Sequence, residues 1–203
     1  MPHAKRMNIV ATNKIDLSVL LAQPAAVVAK RLLGSTLVRE IDGQQARLKI
    51  IETEAYDEND AASHSNWGIT PRTKVMFGPA GMAYVYFTYG MHHCFNIVTG
   101  QVGEGSAVLI RALEPISGGR LLHSNRPGHS GVSLTNGPAK LCQALQIDKK
   151  LYGHDLTQAP LWLELAPAVK ATAITTTTRI GISQAKNTLW RFYITGNPYV
   201  SKL

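Results

Sequence analysis

Apolar and polar positions recur along this chain with two different periods, and the changeovers mark its elements. The stretch "QPAAVVAKRLL", residues 23–33, has proline where a first helical turn begins and Gly34 where it should stop, which predicts a helix packed through Val27, Leu32 and Leu33. "STLVREI" follows as a strand. In the next run, "QARLKIIETEAY", a period of two puts Glu52, Glu54 and Tyr56 on one face and Ile51, Thr53 and Ala55 on the other. "GITPRTKVMFGPAG" is a basic loop punctuated by glycine and proline, and "MAYVYFTYGMHHCFNIV" reads as two β-rich runs meeting at Gly90, a hairpin. "SAVLIRALEP" is a further buried strand interrupted by Arg111, whereas "RLLHSNRPGHSGVSLTNG" is polar, loop-rich and expected to be mobile. Helical spacing returns in "GPAKLCQALQI", with proline near its start, and the chain closes with "TRIGIS" and the alternating "LWRFYITG". There is no linker or repeat, and the only biased run is threonine at 175–178. This order predicts one mixed α+β domain, 1–203, built on a curved antiparallel sheet with surrounding helices and a protruding hairpin.

Composition sharpens the picture only in places. With 203 residues and 45% hydrophobic content the chain can bury a core without disulfides or metals. Its two cysteines, Cys94 and Cys142, each sit in an apolar segment, as in a reduced compartment with buried thiols. Lys and Arg total 21 against 13 acids, a net charge of +8, which suits a polyanionic partner such as nucleic acid. The charges are scattered, however, so the balance fits a merely basic protein nearly as well. The N-terminal apolar stretch is broken by Asn13, Lys14 and Asp16, and no later segment is long enough to span a membrane, so a water-soluble cytoplasmic protein is expected. The final Ser-Lys-Leu matches a peroxisomal address, a tripeptide that chance supplies easily.

Several chemistries drop out. "GPAKL" lacks the spacing of a phosphate loop, "GEGSAV" lacks the third glycine of a dinucleotide fingerprint, and neither metalloprotease nor zinc-deaminase spacing occurs. Residues 92–94, "HHC", alternate across a strand and cannot all ligate one ion, so no metal or other cofactor is expected. What remains is acids and aromatics. Glu52 and Glu54 on one strand face need a cationic partner if dry, and Arg111 is the natural candidate. That arrangement is read equally well as a buried structural ion pair or as a site, and the two carboxylates could even be a carbohydrate hydrolase pair. Tyr84 and Tyr86 share a face with Thr88. Core packing suits Tyr84 and Phe87, while Tyr89, beside a turn glycine, would project and could wedge into a base stack.

The ordered series "AKRLLGSTLV", "ETEAY", "ASHS", "TPR", "MFGPAGMAYVYFTYGMHHCFNIV", "AVLIRALEP", "NGPAKLCQAL", "RIGI" and "WRFYITGNPYVS" is similar to the alkyladenine (3-methyladenine) DNA glycosylases of the mammalian type, a family with bacterial members. The similarity covers nearly the whole chain. It departs at Thr73, where asparagine is expected, at Ala139 in place of a glycine, and in the compact stretch between Tyr56 and His64, which affects local loop shape.

The resemblance implies a monofunctional enzyme of base excision repair that extrudes alkylated or deaminated purines (the 3-methyladenine, hypoxanthine and ethenoadenine class) from double-stranded DNA and hydrolyses the N-glycosidic bond. On it, Glu54 is the general base, with Arg111 and the carbonyl of Ile180 helping to hold the water. Tyr56, His64, Tyr86 and Asn96 form the base pocket, Asn96 filtering out guanine, and Tyr89 intercalates. Arg72 and Lys74 are candidates for contacts to the DNA backbone. The absence of a long basic or disordered tail suggests a compact bacterial form, expected to act as a monomer in the cytoplasm at the nucleoid. No lysine falls among the matched pocket residues, so water is the expected nucleophile and no Schiff base forms.

Overall fold

Two short helices begin the described part of the computed structural model, which comprises residues 16–88 and 90–202. Helix α1 (Leu17–Leu21) starts at Asp16, whose carboxylate accepts from the Ser18 amide, and α2 (Ala25–Leu32) starts directly after Pro24. Ala25, Val28, Ala29 and Leu32 are the buried residues of α2, an i, i+3, i+4, i+7 stripe. Leu33 is buried beyond its end, but Val27 is 52% exposed, because it falls between the turns of that stripe. Each of Val28, Leu32 and Leu33 is wholly removed from water, a contribution of about 1.5–3 kcal/mol apiece.

Strands β1 (Thr36–Ile41) and β2 (Gln44–Tyr56) form a hairpin closed by Asp42 and Gly43, both at positive φ. Asp-Gly is a pair that tolerates this conformation in a tight turn. After them come β3 (Ala83–Thr88), β4 (His92–Val98), β5 (Ala107–Ser117), α3 (Gly119–Asn125), α4 (Pro138–Ala144), β6 (Leu161–Glu164), β7 (Ile174–Thr177) and β8 (Arg191–Ile194). The sheet runs β3-β4-β5-β2-β1-β6, with β8 also on β2 and β7 on β8, and every pairing is antiparallel. Along one edge of β2, residues 44–49 pair with β1 and residues 52–54 pair with β8. The long strand is thereby divided between two neighbours, as a bent sheet requires.

Period-two alternation on β3, β4 and β5 separates two faces. Val85, Phe95, Ile97, Val108 and Ile110 join the main core, whose other members include the buried residues of α2, α3 and α4. Tyr84, Tyr86, Cys94, Asn96, Ala107 and Leu109 point the other way, into a cavity. The β3–β4 pairing reaches Thr88↔His92, whereas β4 pairs with β5 only from Asn96 to Val98, so the hairpin runs past the sheet.

Alternation fails where it matters most. Along β2 and β5 the register steps from Ile50↔Leu113 to Glu52↔Ala112 and then to Thr53↔Ile110, which leaves Ile51 and Arg111 as extra residues, one on each strand. Ile51 therefore leaves the expected company of Thr53 and Ala55 and packs with Ala112 and Val200. Thr53 instead donates to the Ala29 carbonyl of α2 at 2.9 Å.

Other expectations also change. Phe87 is 42% exposed rather than packed in the core, because it lies on the part of β3 beyond the sheet. The segment expected to be a mobile loop contains α3 and a short 3-10 turn, Gly131–Leu134, and its Leu121, Leu122 and Leu134 enter the core. Residues of "TRIGIS" form a bend, and the threonine run before them lies mostly in β7.

Candidate functional site

The paired bulges place three charged side chains on one face. Glu52 and Glu54 are fully buried on β2, and Arg111 on β5 lies between them. Its Nε is 3.0 Å from Glu52 Oε1 and its Nη1 is 3.1 Å from Glu54 Oε1. Burial by itself would lower the pKa of Arg111, but the carboxylates of Glu54 and Glu52 more than offset it, and the pKa is raised. The guanidinium is thus a fixed cation whose position is set by two acids.

Each acid has its own further partners. Glu52 accepts from the Ser201 amide at 2.7 Å and from the Ser201 hydroxyl at 3.0 Å, and Arg191 Nε lies 3.5 Å away. The polar chain end 201–202 is therefore part of the structure behind Arg111, with Arg191 also donating to the Lys202 carbonyl at 2.7 Å. Glu54 Oε1 accepts from the Ile180 amide at 2.8 Å, and Oε2 accepts from the Tyr56 hydroxyl at 2.8 Å. The pKa of Tyr56 is driven far up, first by burial and then by the Glu54 carboxylate, so the phenol keeps its proton and donates it. Glu54 thus accepts one hydrogen bond on each oxygen and is ion-paired with Arg111 through Oε1.

Arg111, Tyr56 and Ile180 all line a cavity of about 470 Å³, so Glu54 stands one contact behind its wall. His64 and Tyr86 line the same cavity with ring centroids 4.6 Å apart and planes at 82°. Asn96 lines it too, anchored by its side-chain amide to the Tyr84 carbonyl at 3.0 Å. The expected residues Glu54, Arg111, Ile180, Tyr56, His64, Tyr86 and Asn96 are thus brought together, although at Ile180 the contact to Glu54 is made by the amide.

Arg72 is exposed on its loop and also borders the pocket. Its guanidinium lies 5.0 Å from the Tyr86 ring centre, and its Nη2 is 3.3 Å from His64 Nε2. Since arginine can only donate, Nε2 accepts, and the imidazole proton is on Nδ1, which donates to the Tyr84 hydroxyl at 2.8 Å. Burial, and then the Arg72 charge, lowers the His64 pKa to about 4. The pocket therefore presents a neutral histidine at ordinary pH. Lys74 is exposed at the start of the 3-10 turn Lys74–Phe77, whose Met76 is buried. Tyr89 lies outside the described residues; Gly90 beside it has φ 69°, a turn conformation suited to glycine.

Some contributors had no signal in the spacing. Tyr84 is 2% exposed, as core packing demands, but it also lines the cavity and orients His64. Asp60 and Arg179 form a buried ion pair, with Arg179 Nη2 donating to Asp60 Oδ1 at 2.9 Å, and Arg179 also donates to the Ala55 carbonyl. This pair ties the loop after β2 to the segment bearing Ile180. Only the concentration of acids after Tyr56 and the arginine before Ile180 hinted at it. Both cysteines are buried and free, and among the described residues no group of His, Cys, Asp or Glu is placed to hold a metal ion. No helix among the described residues is long and apolar enough to cross a membrane.

Residues 19–198 match the family model described as methylpurine-DNA glycosylase. A relative from Carboxydothermus hydrogenoformans is 53% identical over 182 residues, covering 89% of this chain and 95% of its own length. One from Desulfitobacterium hafniense is 46% identical over 188 residues, with 86% and 92% covered, and one from Francisella tularensis subsp. tularensis is 45% identical over 190 residues, with 92% and 98% covered. All three carry the name 3-methyladenine DNA glycosylase.

Proposed function

Because this chain belongs to the methylpurine-DNA glycosylase family, and so is a hydrolase acting on N-glycosyl bonds in DNA, we propose that it extrudes a damaged purine from the duplex into the 470 Å³ cavity and hydrolyses its glycosidic bond with water activated by Glu54. The observation that carries this is the setting of the Glu54 carboxylate: it is ion-paired with Arg111 and accepts from the Ile180 amide on one oxygen and from the Tyr56 hydroxyl on the other, and all three partners line the cavity. A base stacked in a duplex is out of reach of any side chain, so it must leave the stack. Tyr56, Tyr86 and His64 would replace the lost stacking, Asn96 would exclude ordinary guanine, and Tyr89 would fill the gap in the helix.

Attack by water and departure of the base give the sugar oxocarbenium character. The Glu54 carboxylate both stabilises that charge and takes the proton of the attacking water, while Arg111 and the backbone at Ile180 fix the carboxylate and the water beside it. The free base and an abasic site result. The whole chain, 1–203, would act as one glycosylase domain, a monomer in a bacterial cytoplasm working on genomic duplex DNA.

Alkylation gives the 3-methyladenine class a positive charge, which makes the base a good leaving group and a good partner for aromatic faces. With His64 neutral, the imidazole adds no further positive charge to those of Arg111 and Arg72. Hypoxanthine and ethenoadenine are neutral and must gain a proton as they leave, so their release should depend more steeply on pH. Base release from duplexes carrying one lesion of each class, followed by alkali cleavage across pH 5–9, tests this. Steeper profiles for the neutral lesions support the reading, and superimposable profiles contradict it.

A further inference from the structure

Trp67 is the most exposed large hydrophobic residue described, at 84%, yet it lines the same cavity as Tyr56, His64 and Tyr86. It ends the 3-10 turn His64–Trp67, the turn that carries His64 into the pocket, and Gly68, at φ 80°, then bends the chain away. The indole consequently stands at the cavity mouth with little protein packed on it. Its neighbour Ile69 is 70% exposed, and Arg72 and Lys74 follow on the same loop as exposed cations. The other two tryptophans, Trp162 and Trp190, are partly buried.

A large apolar group kept in water beside a functional cavity marks a contact surface. The occupant that fits here is the DNA strand itself. A purine seated in the cavity leaves its sugar, its phosphates and the part of the adjacent base that Tyr89 does not cover at the mouth, where basic side chains meet the phosphates and an indole can cover the base. Resting on the extrusion reading above, we propose that Trp67 is a stacking platform for the damaged strand beside the extruded nucleotide, a DNA contact additional to the purine pocket. It touches no reacting atom, and so acts on binding rather than on bond cleavage.

The test uses the full chain with Trp67→Ala and Trp67→Phe. Affinity is measured on a duplex containing a tetrahydrofuran abasic analogue, tryptophan emission is followed on titration, and KM and kcat are obtained on a hypoxanthine duplex. Because the side chain is exposed, both variants should melt as the wild type does. We expect Trp67→Ala to weaken the complex about tenfold, the order contributed by one base–aromatic stack. KM should rise by a similar factor with kcat changed far less, most of the DNA-induced quenching should disappear, and Trp67→Phe should recover most of the affinity. Unchanged affinity and quenching in Trp67→Ala, or a Phe variant as weak as the Ala variant, would overturn the proposal. So would a wild-type dimer that Trp67→Ala dissolves without effect on DNA binding. These results would leave the glycosylase reading standing if the wild type still releases hypoxanthine. Failure of the wild type to release any base would overturn both.

Discussion

Glu52→Gln isolates the part of the site that holds Arg111 without lining the cavity. The wild-type carboxylate is fully buried and accepts from Arg111 Nε at 3.0 Å and from the Ser201 amide at 2.7 Å, on opposite oxygens. A carboxamide of the same size offers one acceptor oxygen and one donor group, so whichever way it turns, its NH₂ opposes either Arg111 or the Ser201 amide. An unmet buried donor costs about 1–3 kcal/mol, and a buried ion pair broken outright costs about 3–5 kcal/mol. Glu54 stays on Arg111, 3.1 Å away, so the pair is weakened rather than lost. The expected destabilisation is therefore about 3 kcal/mol, and at roughly 2–4 °C per kcal/mol for a chain of this size the melting temperature should fall by about 6–12 °C. Circular-dichroism melts of both proteins at one pH measure it. Lys49→Met, which removes only a half-exposed pair with Glu114, serves as the control and should cost less than about 1 kcal/mol. Arg111, held by one acid instead of two, should also misplace the site, lowering kcat for base release at least about tenfold with little change in KM. A Glu52→Gln protein that melts within about 2 °C of the wild type would refute the reasoning.

Two further predictions concern the pocket walls. Free imidazole titrates near 6.5 whereas folded His64 does so near 4, so on acidification the unfolded chain takes up a proton across about pH 6.5 to 4 that the folded one refuses; stability falls over that window, and His64→Gln should lessen the fall, whereas equal slopes for the two proteins would contradict it. Asp60→Asn strips the buried Arg179 of its charge partner, which should cost about 3–5 kcal/mol and loosen the Ile180 segment that donates to Glu54, lowering melting temperature and base release together; a wild-type melt would show that the pair holds nothing.

Much of the sheet was legible because its strands carry two-residue alternation on long, separate runs. The β3–β4 hairpin, the start of β1 and the position of α4 follow from that period and from proline and glycine at the ends. Alternation could not show the bulges at Ile51 and Arg111, since an extra residue is a matter of pairing between strands and leaves no mark on either one alone. That is why Ile51 was expected on the wrong face, even though Glu52, Glu54 and Arg111 were rightly grouped by charge. Short strands β6 and β7 are four residues each and too brief for a period to register. The segment after β5 was misread because its serines, glycines and histidines outnumber the leucines, yet three buried leucines suffice to fix it. Partners far apart in sequence, such as Asp60 with Arg179 or Glu52 with Ser201, become visible only when the fold brings them together.

The central claim is that the carboxylate of Glu54, held just behind the cavity wall, activates the water. Single-turnover release of hypoxanthine from a duplex oligonucleotide, read as alkali-labile abasic sites for wild type and Glu54→Gln, tests it most directly when paired with the affinity of both proteins for the same duplex. Abasic sites from the wild type only, with lesion binding kept by Glu54→Gln, are predicted. Base release by Glu54→Gln at a rate near that of the wild type would contradict the account.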